Sequence, residues 1–243
     1  MLRRMGPVVM LPTSGVGPLG ARDRRWYFLA KRVIDLALGS SLFVLLLPLM
    51  AILAVAVKLD SRGPVLFVQD RVGVRRCSWH GGVYWELRPF RCLKFRSMVA
   101  GADQSLHRQH VRAFVRGQLV ADEGRTRFKL ANDSRVTRLG HLLRRTSLDE
   151  LPQLVHVLKG EMSLVGPRPV PLYEVAEYRE SDAERLMALP GITGLWQVNG
   201  RADVPFIDMM RMDCEYVRNQ SLWLDLKILA ATVPAVLSGR GAK

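Results

Sequence analysis

The sequence predicts an α+β fold, mostly helical. It reads as a monotopic membrane protein: a re-entrant helix-break-helix followed by a cytosolic domain. Three observations carry this expectation. Leu36 to Val57 is an uncharged apolar run of 22 residues, and a bilayer core takes about 20 for one helical span. Pro48 stands near its middle, where proline removes a hydrogen bond and clashes with the preceding turn. Both flanks are basic: Arg22, Arg24, Arg25, Lys31 and Arg32 precede the run, and Lys58, Arg62, Arg71, Arg75 and Arg76 follow it. A spanning helix concentrates Lys and Arg on one side. A bent helix that dips in and returns to the cytoplasmic face fits the pattern. A single span with an incidental kink is the alternative.

The organisation follows from that segment. Residues 1–25 carry Gly, Pro and Arg without periodicity and read as a mobile basic arm. Residues 26–62 form the membrane-embedded part, and residues 63–243 a cytosolic domain with interfacial helices, long enough to bury a core. The apolar run is too long for a signal peptide, and no small-residue cleavage site follows it. The formal charge of +14 calls for an anionic partner. Beside a membrane segment that means lipid headgroups and phosphorylated substrates, not nucleic acid. Cys77, Cys92 and Cys214 are widely spaced and odd in number, which argues against a disulfide framework and for a reducing compartment. His107 and His110 lie three apart; a solvated helix face explains them better than a metal site.

Along the soluble part, Ser61-Arg62-Gly63-Pro64 is a turn signal. Val65 to Gln69 reads as a short strand, and residues 73–92 as a hairpin or inserted loop. Residues 100–120 suggest a helix. Leu139–Leu143 and Leu151–Leu158 carry helical spacing, with Gly160 as the stop. Asp182 to Leu189 is a further helix ended by Pro190-Gly191. Leu222 to Leu237 is apolar on most faces; it lies either in the core or at the membrane interface.

The chemistry centres on Arg144-Arg145-Thr146-Ser147-Leu148-Asp149-Glu150-Leu151-Pro152-Gln153. Ser147-x-x-Glu150 has the form of a capping box. Alternatively Asp149 is itself the N-cap, with Pro152 tolerated in the first turn. Either way Asp149 lies at a helix N-terminus, where the dipole stabilises negative charge. Such a carboxylate can act as a nucleophile toward phosphorus or as a Mg²⁺ ligand. The preceding arginines would clamp phosphoryl oxygens. Val165-Gly166-Pro167-Arg168-Pro169 locks the backbone on both sides of Arg168, presenting a guanidinium at low entropy cost. Pro190-Gly191-Ile192-Thr193-Gly194 runs on to Gly200-Arg201 and allows close backbone approach to a ligand. Lys94-Phe95-Arg96-Ser97-Met98 adds two cations on a strand or strand end.

Each element alone is weak; in this order they are specific. The chain resembles the bacterial sugar transferase family, monotopic phosphoglycosyl transferases, from about Lys31 to about Leu237. The matching stretches begin with Lys31-Arg32-x-x-Asp35, Gly63-Pro64-x-x-Phe67-x-Gln69-x-Arg71-x-Gly73 and Asn132-Asp133-x-Arg135-x-Thr137-x-x-Gly140. They continue through the motifs above to Asp213-x-x-Tyr216 and Asp225-Leu226-Lys227. The resemblance implies transfer of a sugar-1-phosphate from a UDP-sugar to undecaprenyl phosphate, at the cytoplasmic face of the bacterial inner membrane. It implies that Asp149 is the nucleophile, forming a covalent phosphosugar-aspartate, and that Glu150 assists as metal partner or base. Mg²⁺ would be held near both carboxylates. Phosphate contacts would come from Lys94, Arg96, Arg144, Arg168 and Arg201, and Pro48 would mark the membrane bend.

Some residues depart from the family pattern. Leu47 stands where a serine often precedes the bending proline, Glu161 replaces a commoner aspartate, and the stretch between Gly73 and Lys94 is longer than usual. The four membrane helices and soluble domain of larger relatives are not seen, so the minimal catalytic form is expected. Two other readings compete: a basic membrane-anchored binding protein, and a nucleotide-sugar hydrolase with water as acceptor. The sugar is not identified, and an isologous homodimer is only the commonest default.

Overall fold

The computed structural model describes residues 10–11, 24–79, 82–103, 105–115, 133–178, 180–200 and 204–238. Most of the arm expected over 1–25, Arg201, the second part of the helix expected over 100–120, and the side chains of His107 and His110 lie outside this description.

The chain order is β1 (Met10–Leu11), α1 (Arg25–Asp60), β2 (Leu66–Trp79), β3 (Gly82–Phe95), α2 (Ser105–Val115) and α3 (Arg138–Thr146). A 3-10 helix, Leu148–Gln153, leads directly into α4 (Leu154–Lys159). Next come β4 (Ser163–Val165), α5 (Leu172–Val175), a second 3-10 helix (Glu180–Leu186), β5 (Gly191–Thr193), α6 (Leu195–Asn199), α7 (Phe206–Asn219) and α8 (Leu222–Ser238). Helix dominates, as the sequence suggests. The strands form two small sheets, an antiparallel β1-β3-β2 and a parallel β4-β5 pair.

α1 is long and apolar enough to cross a membrane by length and composition, and only 11% of its most apolar window is buried. The helix runs through Pro48 without the expected interruption. The proline removes one hydrogen bond, and the turns on either side carry the helix across it. One face meets the rest of the chain. Lys31, Asp35, Gly39, Leu53 and Val57 are buried, and Phe43, Leu46, Leu49 and Met50 are partly buried against core clusters. These positions recur every three or four residues, so they form one stripe. Val44, Leu45, Leu47, Ile52 and Val55 are exposed on the other side.

Polar contacts fasten both ends of this helix. Lys31 Nζ donates to Asp225 Oδ2 at 2.8 Å, and Tyr216 donates to Asp225 Oδ1 at 2.7 Å. Asp35 Oδ1 accepts from Ser163 Oγ and from Leu164 N–H. The Arg32 guanidinium donates to the carbonyls of Val157 and Leu158 in the last turn of α4. At the far end Arg96 donates to the carbonyls of Val57 and Ser61.

The strand expected at Val65 to Gln69 is the start of a much longer one. β2 and β3 pair without a bulge from Leu66↔Phe95 to Trp79↔Gly82, so the hairpin reading of residues 73–92 holds. Pro89 lies inside β3 opposite Val72. Val72 turns its N–H the other way, to Val170 O at 2.8 Å, so Pro89 sits where the ladder asks for no donor.

Three local expectations are corrected. Ser147 and Glu150 make no capping box, and Asp149 is not an N-cap. Ser147 is left-handed (φ 59°), ends α3 and makes no side-chain cap. It alone separates the two helices, and Asp149 and Glu150 fall in the first turn of the following 3-10 helix. The helix expected over Asp182 to Leu189 is the 3-10 segment Glu180–Leu186, and Gly191 opens a strand. That strand packs so closely on Gly166 that a Cβ on either glycine would collide with the facing backbone.

The buried Lys31–Asp225 pair yields a test. Removing one partner of a buried ion pair costs about 3–5 kcal/mol, because the other charge is left uncompensated. Lys31→Met is expected to lower the thermal unfolding midpoint in detergent, and Lys31→Arg to recover part of it. An unchanged midpoint for Lys31→Met would show that the pair does not hold α1.

Candidate active site

Three remote segments converge on one carboxylate. β3 brings Lys94 next to its last residue. The 3-10 helix brings Asp149 and Glu150. The loop after β4 brings Arg168. Glu150 Oε1 accepts from Lys94 Nζ at 2.6 Å and from Arg168 Nη2 at 2.7 Å. Burial opposes charge on Glu150, but Arg168 and Lys94 outweigh it and hold the carboxyl well below the usual range. For Lys94 burial dominates and lowers its affinity for the proton, with Glu150 pulling the other way. Asp149 is buried beside them. Arg144, at the end of α3, lines the same cavity and has no ion pair among the described residues. Burial lowers its pKa, partly offset by Asp149 and Asp133.

The Pro-Arg-Pro loop is held at four consecutive carbonyls. Pro167 O accepts from Gly191 N–H at 2.8 Å, and Val170 O from Val72 N–H. Pro169 O accepts from Arg71 Nη1 at 3.0 Å, and Arg168 O from Arg185 Nη2 at 3.3 Å. Arg185 is itself buried, ion-paired to Asp213 at 2.6 Å and near Glu174 at 3.5 Å. Burial pushes the Asp213 carboxyl up to about 6 against the pull of Arg185. The proline rings restrict φ at 167 and 169, and these bonds fix the rest. Arg168 therefore presents its guanidinium from an immobile backbone.

The cavity above this cluster has a volume of about 660 Å³, within the range of small-molecule sites. Its floor is polar, with Arg71, Lys94, Arg144, Asp149, Glu150 and Arg168. Its wall is apolar, with Leu42 and Leu46 of α1, Ile192, and Leu229 and Val236 of α8. A ligand with a phosphate end and a hydrocarbon end matches both surfaces.

Of the residues singled out in the sequence, Lys94, Arg144, Asp149, Glu150 and Arg168 come together. Arg96 borders the same cavity, but its hydrogen bonds go to Val57 and Ser61, so it secures the end of α1 instead of joining the cluster. Arg201 lies outside the described residues. Pro48 is on α1, away from the cluster. Arg71 and Arg185 hold the Arg168 loop and were not anticipated in that role. Arg71 stands in a matching motif, which is a usable signal; nothing near Arg185 in sequence marks it.

Among the described residues no group of three or more His, Cys, Asp or Glu side chains stands ready to hold a metal ion. The donors present suit Mg²⁺ in another way. Mg²⁺ binds through one or two carboxylates and takes its other ligands from water and substrate phosphates. Asp149 offers such a carboxylate. The Glu150 oxygens already accept from two cations.

Comparison with known proteins shows what the chain is similar to. The chain is 44% identical over 212 residues to a UDP-galactose-lipid carrier transferase of Erwinia amylovora, covering 87% of this chain and 41% of that protein. It is 39% identical over 231 residues to the exopolysaccharide production protein ExoY of Rhizobium meliloti, covering 95% and 92%. It is 40% identical over 243 aligned positions to a UDP-glucose:undecaprenyl-phosphate glucose-1-phosphate transferase of Caulobacter vibrioides, covering 96% and 79%. The chain thus spans about two fifths of the first relative and nearly all of the second. Residues 26–239 match the family model of the bacterial sugar transferases, and the chain belongs to that family.

Proposed function

We propose that this chain is a phosphoglycosyl transferase that moves a sugar-1-phosphate from a UDP-sugar to undecaprenyl phosphate, the first membrane step of exopolysaccharide synthesis. The observation that carries this reading is the buried Asp149 beside the Lys94–Glu150–Arg168 cluster, under a wall made by two apolar helices. The activities named for the Erwinia and Caulobacter relatives point the same way.

The chemistry follows from the charges. A carboxylate oxygen of Asp149 attacks the β-phosphorus of the UDP-sugar. The bond from that phosphorus to the bridging oxygen breaks, and its electron pair leaves with UMP. The sugar phosphate is then an acyl phosphate on Asp149. A phosphate oxygen of undecaprenyl phosphate attacks the same phosphorus, and the aspartate leaves as a carboxylate. Both displacements spread charge over phosphoryl oxygens, so pre-placed cations stabilise them. Lys94, Arg144 and Arg168 are those cations, and Glu150 holds two of them in place. Mg²⁺, held by Asp149 and substrate phosphates, would add charge neutralisation at the leaving phosphate.

The same reading makes α1 a re-entrant element at the cytoplasmic face of the inner membrane. A 36-residue helix is about 54 Å long, and a straight crossing would carry one end beyond a hydrocarbon layer of about 30 Å. Support for re-entry comes from contacts at both ends with one domain: Lys31, Arg32 and Asp35 at one, Val57 and Ser61 at the other. The bare opposite face would meet lipid.

UMP release from a panel of UDP-sugars, with Mg²⁺ and with or without undecaprenyl phosphate, tests the assignment. Release is expected to require the lipid, and Asp149→Asn to lower turnover by about 10³-fold or more. Release without lipid would make the chain a hydrolase. Full turnover in Asp149→Asn would remove Asp149 as nucleophile. Chelation with EDTA is expected to stop release and added Mg²⁺ to restore it; activity unaffected by EDTA would dismiss the metal.

Glu150 makes a separate prediction. Its folded-state pKa lies below the ordinary value of 4.5. Its contribution to stability is therefore complete above about pH 4.5 and is lost as pH falls below that. The gap in unfolding midpoint between the natural chain and Glu150→Gln should be wide at pH 7 and shrink from about pH 4.5 downward. A gap independent of pH would show that Glu150 is not held as an ion.

A further inference from the structure

A second cavity, of about 610 Å³, lies between the first turns of α1, the β2–β3 hairpin and the loop after α4, and shares no lining residue with the first. Its floor is aromatic: Phe28, Trp85 and Phe90, with Phe28 and Trp85 in edge contact at 5.9 Å. Its rim is cationic. Arg32, Arg75, Arg76, Arg88 and Lys159 line it, along with Lys31, against the carboxylates Asp35 and Glu161.

Most of that positive charge is not neutralised locally. Lys31 is paired with Asp225, and Arg88 bonds Glu86. Glu161 is 2.6 Å from the His156 ring. Arg75, Arg76 and Lys159 have no carboxylate partner among the described residues, and Arg32 is held only by neutral carbonyls. Arg76 stacks over the Phe28 ring at 4.7 Å, which fixes its guanidinium at the cavity wall. Gly160, whose left-handed conformation (φ 81°) favours glycine, lies against the Arg32 guanidinium. The proposed transfer reaction makes no use of the hairpin that supplies Arg75, Arg76 and Arg88.

The place of this cavity on α1 selects its ligand. Phe28, Lys31, Arg32 and Asp35 face it, while Trp26, Leu29, Val33 and Leu36 on the neighbouring face are exposed and apolar. Cationic cavity and bare apolar face therefore meet on one stretch of helix, at the level where the run of apolar residues starts. Phosphate headgroups lie at that level, with acyl chains beginning just below. Positive side chains near an anionic surface attract such headgroups.

We propose that this cavity binds the phosphate headgroup of an anionic phospholipid, with Arg75, Arg76 and Lys159 on the phosphate and the aromatic floor against the first acyl carbons. The inference rests on the membrane-embedded reading of α1. Bound lipid of this kind would hold the hairpin and the entry of α1 at a set depth, apart from the reaction site.

The test is thermal unfolding of the full chain in nanodiscs of phosphatidylcholine alone and of phosphatidylcholine with phosphatidylglycerol. Phosphatidylglycerol is expected to raise the midpoint by about 2–4 °C. The triple variant Arg75→Gln, Arg76→Gln, Lys159→Gln should lose that rise while keeping its UMP release. A control with equal charge change at the exposed Arg62, Arg91 and Arg138 should retain the rise. Loss of the rise in both variants would reduce the effect to general surface charge and overturn the proposal. So would the same rise from inorganic phosphate in phosphatidylcholine discs, which would make the site one for free phosphate. No rise in the natural chain, once it is inserted in both discs, would also overturn it. Failure of the natural chain to insert in either disc would overturn the membrane reading of α1 itself, and with it this inference.

Discussion

The Glu150 carboxylate is the contact on which the reaction site depends. It draws in Lys94, 56 residues earlier, and Arg168, 18 residues later. Without an anion between them the two cations would face one another in a buried setting. Like charges about 4 Å apart cost about 4 kcal/mol at an effective dielectric of 20. With it, β3, the 3-10 helix and the Pro-Arg-Pro loop close on a single point. Asp149 is carried there as the residue next to Glu150. The position of the proposed nucleophile is thus set by the charge balance of its neighbour. Ser147, in its left-handed turn, lets α3 end and the carboxylates begin within one residue, which keeps Arg144 in the same cavity.

A second constraint joins the site to the membrane element. α1 would be a loose anchor if only its ends of sequence met the domain. Instead a stripe from Lys31 to Val57 is packed or bonded along its length. The same helix lends Leu42 and Leu46 to the wall of the reaction cavity. The exposed face and the face that lines the cavity are therefore parts of one helix. In the proposed reaction between a soluble nucleotide sugar and a lipid phosphate, this geometry would set the acceptor's charged head and hydrocarbon tail against matching surfaces.

The strong positive charge acquires two locations. One is the cluster of Arg71, Lys94, Arg144 and Arg168, offset in part by Asp149 and Glu150. The other is the cavity rim of Arg75, Arg76 and Lys159, where the described carboxylates leave the cations unpaired. Both lie against α1, though against different parts of it. Net charge alone says only that the partner is anionic; the two cavities give part of it to the proposed phosphoryl transfer and part to the proposed headgroup site.

Much was legible in the sequence because local physics governs it. The length and purity of the Leu36 to Val57 run, the hairpin over residues 73–92, the helix stop at Gly160 (φ 81°), and the Asp149-Glu150 pair at a helix start all depend on near neighbours. Arg96 misled, because two nearby cations at a strand end look alike in sequence; β3 stops at Phe95, and Arg96 just beyond it turns to Val57 and Ser61 while Lys94 meets Glu150. The capping reading of Ser147 failed because a tertiary demand, bringing Arg144 beside Asp149, overrode a local hydrogen bond. The parallel pairing of β4 with β5, three residues each, carries too short a pattern to read. Arg71 stood in a matching motif, but its role at the Pro169 carbonyl, like that of Arg185 at the Arg168 carbonyl, showed only in the structure. Sequence by itself determined the elements and the chemical groups available. Tertiary structure decided which cations meet which carboxylate, because ion pairing and carbonyl satisfaction act across segments whose separation no local pattern records.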